Sequence, residues 1–250
     1  MGLLPDIKSS PSIDPHKMTY LIYGVSGIGK TTFCSKLPNA LILDTEEGTR
    51  LQNVYKVDVP DWETFLKVVD EICTKKHAFK SIVIDTIGRL VSACTKFCCT
   101  KFGVDHPSDV AFGKAYDVIK KQFDAPINKL QHSGLGLWFV GHSIVKPIKV
   151  AIGDDYDYIE PEIPGFAKRI VLSLCDYCFY ATNETQKTIV DGKERHISVR
   201  VLKTKPTKTL LAKDRTVNSP LPETLPLDTK EVLDVITKHL TLNSEIAVNG

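Results

Sequence analysis

Nine residues, Gly24-Val25-Ser26-Gly27-Ile28-Gly29-Lys30-Thr31-Thr32, narrow the folds open to this chain more than any other stretch. The apolar run Tyr20-Leu21-Ile22-Tyr23 precedes them and Phe33-Cys34-Ser35-Lys36-Leu37 follows, so the segment reads as strand, phosphate loop, helix. Gly24, Gly29, Lys30 and Thr31 fit the spacing G-x-x-x-x-G-K-[ST]. Glycines let successive backbone N–H groups turn inward onto phosphate oxygens, and the helix that follows adds the positive end of its dipole. At this spacing Lys30 reaches the β- and γ-phosphates and the Thr31 hydroxyl is placed to ligate Mg²⁺. At average Gly and Lys usage a chance match in a chain of this length has a probability of about one per cent. The chain is therefore expected to bind a nucleoside triphosphate, ATP with Mg²⁺, through residues 24 to 32.

Strand and helix patterns alternate through the first 141 residues, which predicts right-handed crossovers and a parallel sheet. Short apolar runs end in acids at Asn39-Ala40-Leu41-Ile42-Leu43-Asp44 and Lys80-Ser81-Ile82-Val83-Ile84-Asp85, as buried parallel strands do. Residues 54–59 make a further short strand, and Gly136-Leu137-Trp138-Phe139-Val140-Gly141 another buried one. Helices are expected over 61–75 with Asp61 as N-cap, from Asp85 to about Phe102, and over 112–132 with an interruption at Pro126. Residues 143–164, with Pro147, Gly153, Pro161 and Pro164, read as a long loop. Two longer strands, 170–182 and 197–203, with Asp191-Gly192 as a hairpin turn, predict an antiparallel extension, and a last helix covers 228–240. The division expected is an extended lead-in over 1–17, an α/β core over 18–215 of mostly parallel sheet flanked by helices, and a linker and helix over 216–250.

Charge excludes little: 32 Lys and Arg against 30 Asp and Glu leave a net +2, so any basic surface is local. Seven cysteines, an odd number set in apolar runs, suit a reducing cytosol. No apolar run approaches 18 residues and the first residues hold no leader core, so a cytoplasmic protein with no membrane span is expected. Cys94, Cys98 and Cys99 with Cys175 and Cys178 can be written as a zinc site, but the spacing does not converge and the better reading is small buried hydrophobes.

A phosphate loop needs a second acid on a neighbouring strand to hold Mg²⁺ through water, and Asp85 stands at such a strand end. Asp44 also ends a strand, but Thr45-Glu46-Glu47 follow it and suggest another task there. Hydrolysis needs an attacking water oriented and relieved of a proton, and Glu46 or Glu47 can supply the base at the carboxyl end of the second strand.

Together these residues resemble the RecA-type recombinase core over residues 18–215, and more closely the short phage ATP-binding proteins with a RecA-like core that act in single-strand annealing. Asp44-Thr45-Glu46 stands where that family carries Asp-x-Glu, so the resemblance selects Glu46 as the base, with Lys30 and His142 as further catalytic residues. His142 takes the place of a γ-phosphate sensor, and a neutral imidazole can hydrogen-bond a phosphate or a water as an amide does. The strand ending Lys203-Thr204-Lys205 resembles a Lys-x-Lys whose cations reach a neighbour's triphosphate, so Lys203 and Lys205 are candidate trans-acting groups.

The resemblance also implies an ATPase stimulated by single-stranded DNA, a homo-oligomeric ring or filament, and DNA contacts near Lys101, Lys146 and Lys149. Segment 143–164 carries more acids than bases, so only its first half suits a phosphate backbone. The other reading open is a slow, nucleotide-gated module that recruits a replication or single-strand-binding protein. Lys213-Asp214-Arg215 recurs in the phage relatives and has no mechanism assigned.

Overall fold

The computed structural model describes residues 9–151, 153–190 and 193–249. Five elements follow the expected alternation: β1 (Thr19–Gly24), α1 (Lys30–Ser35), β2 (Ala40–Asp44), β3 (Tyr55–Asp58) and α2 (Trp62–Thr74). After them come β4 (Ser81–Asp85), α3 (Ile87–Phe102), α4 (Lys114–Gln131) and β5 (Gly136–Gly141). The chain continues with β6 (Ser143–Ile148), β7 (Tyr156–Pro161), α5 (Gly165–Leu174), β8 (Tyr177–Val190) and β9 (Lys193–Lys203), and closes with β10 (Lys213–Asp214), β11 (Thr224–Pro226) and α6 (Thr229–Asn249).

The main sheet runs β11-β9-β8-β1-β5-β4-β2-β3, with β10 also paired to β8. From β8 through β3 every neighbour is parallel, and the antiparallel part is confined to β8–β9, β9–β11 and β8–β10. The expectation of a mostly parallel sheet flanked by helices holds. Every residue of β1, β2, β4 and β5 is buried, which is why these strands read as continuous apolar runs rather than alternations.

Alternate residues of β1 face two cores. Leu21 and Tyr23 pack with α2, α3, α4 and α5 on one face, while Tyr20 and Ile22 pack with α1 and α6 on the other. Tyr20 stacks on Trp138 with ring centroids 3.9 Å apart and donates to the Pro15 carbonyl at 2.8 Å. The end of the lead-in is thus tied beneath β1.

Several sequence readings are corrected. Residues 170–182 are not one strand. Ala167, Ile170 and Val171 recur at helical spacing and bury one side of α5, and the strand begins only at Tyr177. Residues 143–164 hold the hairpin β6–β7 rather than a loop. Its strands are half exposed, so no apolar alternation announces them, and Glu160 on β7, between the ammonium groups of Lys146 and Lys168, ties the pair together and to α5. Helix α4 runs unbroken through Pro126, which is buried, and starts at Lys114 because Phe112 sits at φ 58°. The last helix continues to Asn249. The expected turn at Asp191-Gly192 lies outside the described residues.

The segment expected as linker and helix, 216–250, contributes β11 to the sheet and Leu221, Leu225, Val232, Ile236 and Leu240 to the second core. Lys213-Asp214-Arg215 acquires a structural account. Asp214 accepts from Lys205 Nζ at 2.7 Å and from the Leu221 and Thr216 amides, Arg215 pairs with Asp176 at 3.0 Å, and Asp176 accepts from the Thr19 amide. That clasp fixes the start of β1. Among the described residues no helix is long and apolar enough to cross a membrane.

Gly24, the first glycine of the loop motif, lies against β8 so closely that a Cβ would sit 2.3 Å from the Ala181 carbonyl oxygen. Gly48 has open space around it. Gly24→Ala is expected to cost about 2–3 kcal/mol by overpacking, and Gly48→Ala to leave stability nearly unchanged. Urea denaturation midpoints of the two variants measure the difference.

Candidate nucleotide site

The loop between β1 and α1 emerges at the carboxyl edge of the sheet, where ligands of open α/β sheets gather. Gly27 (φ 78°) and Gly29 (φ 110°) take backbone conformations that side chains disfavour, and these two turns curl the loop. Lys30 opens α1 and is 6% exposed, with its ammonium donating to the Gly24 and Val25 carbonyls at 2.8 Å each. Burial lowers its pKa, against the pull of the Asp85 and Glu46 carboxylates.

The strand register aligns the acids. Asp44 is opposite Asp85 on the β2–β4 ladder. Asp85 accepts from the Thr31 hydroxyl at 2.6 Å, which brings the second acid against the phosphate loop. Only 6% of Asp85 is exposed, and burial raises its pKa; the Thr31 hydrogen bond partly offsets this, while the Asp44 and Glu46 charges add to it. The donor set of one hydroxyl and one carboxylate suits Mg²⁺, which keeps most of its waters.

Asp44 has a different task. It accepts from the amides of Glu46, Gly48 and Thr49 and from the Thr49 hydroxyl. Burial opposes its charge, but these bonds outweigh that and hold its carboxyl below the usual range. The turn so formed aims Glu46 back across the strand ends. Glu46 accepts from the Thr86 hydroxyl at 2.8 Å, its other oxygen lies 3.5 Å from His142 Nε2, and Arg89 Nε stands 3.4 Å away. Glu47, the alternative base, instead pairs outward with Arg50 on the surface.

The structure therefore brings together Gly24, Val25, Ser26, Gly27, Ile28, Gly29, Lys30, Thr31 and Thr32 as one loop, Asp85 against it, and Glu46 with His142 beside Asp85's neighbour Thr86. It does not gather the other candidates. Lys203 pairs with Glu184 and Lys205 with Asp214, each at 2.7 Å. Lys146 is matched to Glu160, Lys101 lies over the Phe97 ring at the end of α3, and Lys149 is exposed beyond β6. Sequence reasoning passed over Arg89. A cation in the first turn of a helix opposes the helix dipole, and that anomaly was its one signal.

The AAA domain family model matches residues 16–216. The chain belongs to the AAA domain family. The match takes in the loop, both strand-end acids, His142 and the Lys-x-Lys strand. No curated protein matches the chain. This AAA domain is a P-loop NTPase fold, and its family accounts for nucleotide binding and hydrolysis. The zinc reading has no support, since among the described residues no cluster of three or more His, Cys, Asp or Glu can hold a metal. Cys175 caps α5 rather than lying in a strand, and it and Cys94, Cys98, Cys99 and Cys178 are buried.

Because the folded protein raises the Asp85 pKa, its ionised form is disfavoured by folding. Its favourable contribution is present below the unfolded carboxylate pKa and is lost as pH rises through the folded value. Asp85→Asn is therefore expected to raise the thermal midpoint of the nucleotide-free protein at pH 7 and to change it little near pH 4. Melting curves at the two pH values test this; an equal shift at both would contradict it.

Proposed function

We propose that this AAA domain hydrolyses ATP with Glu46 as general base, binds single-stranded DNA, and promotes annealing or recombination as a homo-oligomer. The observation that carries the hydrolytic part is the position of Glu46. One oxygen is held by the Thr86 hydroxyl, the residue after the metal-side acid, and the other faces His142.

Mg²⁺, when bound, neutralises charge on the phosphate oxygens that the loop presents to it. Lys30 exchanges its two loop carbonyls for phosphate oxygens, and the loop amides hold the triphosphate in line. Glu46 takes the proton of the attacking water as the water oxygen bonds to the γ-phosphorus and the bond to the bridging oxygen breaks, releasing ADP. His142 lies between Glu46 and β6, so it senses whether Glu46 is engaged with water or with its apo partners. The DNA-binding, annealing and oligomeric parts rest on the resemblance to RecA-like phage proteins. For Lys203 and Lys205 to reach a neighbouring subunit, each exchanges its own acid for the neighbour's triphosphate.

One observation favours the slower, partner-recruiting module as a second reading. Lys146, Lys203 and Lys205 are already paired within the chain, so among the described residues Lys101 and Lys149 are the two of the five candidates with no carboxylate partner. Non-specific affinity for nucleic acid scales with the number of cations on phosphates.

ATP hydrolysis by the wild type and Glu46→Gln, with and without single-stranded DNA, separates the readings. Loss of the base is expected to lower the rate about 10²–10⁴-fold with ATP binding retained, and DNA is expected to stimulate only the wild type. An undiminished rate in Glu46→Gln removes the assigned base. Absence of DNA stimulation and of DNA retention at low salt selects the recruiting module.

A further inference from the structure

Arg200 lies on the opposite flank of the phosphate loop from Glu46. It stands on β9, opposite Asn183 of β8, two residues beyond the level at which Gly24 pairs with Ala181. Two residues on, Leu202 points into the core formed by Ile28, Phe33 and α6, so the period of two places Arg200 on that same face, the face of α1. Its guanidinium reaches the loop: Nη1 is 3.4 Å from the Ile28 carbonyl oxygen and would lie 3.0 Å from a Cβ on Gly29. Leu227 closes the same spot, its Cδ2 3.4 Å from that Cβ position and its amide donating to the Arg200 carbonyl at 3.0 Å.

Three observations say what this pair meets. First, the sheet order puts Glu46, Asp85 and His142 at the ends of β2, β4 and β5, all on one side of β1, with β8, β9 and β11 on the other. A triphosphate whose terminal phosphate faces Glu46 must leave the loop toward Arg200 with its sugar and base. Second, Lys30 holds the Gly24 and Val25 carbonyls within the loop, whereas Arg200 comes from β9 onto the separate Ile28 carbonyl, so its guanidinium flanks the phosphate cradle rather than filling it. Third, the guanidinium offers five N–H donors and uses one, in a long bond, and among the described residues no carboxylate pairs with it. A planar cation beside an apolar side chain suits the face and edge of a heterocycle.

We propose that Arg200 and Leu227 form the nucleoside side of the site, with Arg200 as a specificity-determining contact to the base and sugar. The proposal rests on the nucleotide-binding reading above. Calorimetric titration of the full chain with Mg-ATP and with Mg-tripolyphosphate, which has no nucleoside, tests it. Arg200→Ala is expected to weaken ATP about tenfold and tripolyphosphate less than twofold, with Arg200→Lys in between because it keeps the charge and loses the plane. Lys30→Ala is expected to weaken both probes. Equal weakening of both probes by Arg200→Ala would make the residue a brace of the loop and overturn the assignment, as would unchanged ATP affinity. Wild-type protein that binds neither probe would overturn the nucleotide reading itself, and this proposal with it.

Discussion

Two nearly buried charges, the Lys30 ammonium and the Asp85 carboxylate, sit at the carboxyl edge of the sheet, and desolvation opposes both. Such charges persist only where fixed dipoles and partners compensate them. Here the Gly24 and Val25 carbonyls hold the ammonium and the Thr31 hydroxyl holds the carboxylate. Each of those partners depends on backbone placed by the parallel ladders of β1 and β4 with β5 between them. A site of this kind is primed for a ligand with opposite charges to offer, a polyanion accompanied by a divalent cation.

Around that pair the acids divide their work by local hydrogen bonding rather than by type. Asp44 and Asp85 are neighbours on the same ladder, yet one is saturated by the amides of its own turn and shapes the chain, while the other keeps a single hydroxyl partner. Glu46 and Glu47 are adjacent in sequence, and the turn built on Asp44 sends one toward Thr86 and the other toward Arg50. Burial likewise separates Glu160 from the surface acids. Dehydration opposes its charge, but Lys146 and Lys168 hold its pKa below the usual range, and the hairpin β6–β7 is tied to α5 as a result.

The core strands were legible because parallel strands buried on both faces are continuous apolar runs, and β5 spans the six residues read from the sequence. The hairpin β6–β7 was not legible, because its stabilisation comes from ion pairs and a half-exposed face that leave no period of two. Helix α5 reads as a strand because Ile170-Val171-Leu172 is a short apolar run that opens with two β-branched residues, and only packing of Ala167 and Val171 against the first core decides for a helix. The site shows the same split. The loop and Asp85 follow from spacing and Glu46 from the resemblance at Asp44-Thr45-Glu46, whereas Arg89 and Arg200 stand 43 and 171 residues from Glu46 and Gly29 and carry no motif.

By itself the sequence determined that a phosphate loop joins a strand to a helix, that acids end the strands beside it, and that the fold is α/β. These are properties of contiguous residues, set by glycine's backbone freedom and by the burial of short apolar runs. Tertiary structure alone decided which partners each acid engages, that lysines 146, 203 and 205 are matched within the chain, and that Arg200 flanks the loop opposite Glu46. Those outcomes depend on strand order and on which distant side chains neutralise one another, and Coulomb pairing across a sheet leaves no local periodicity to read.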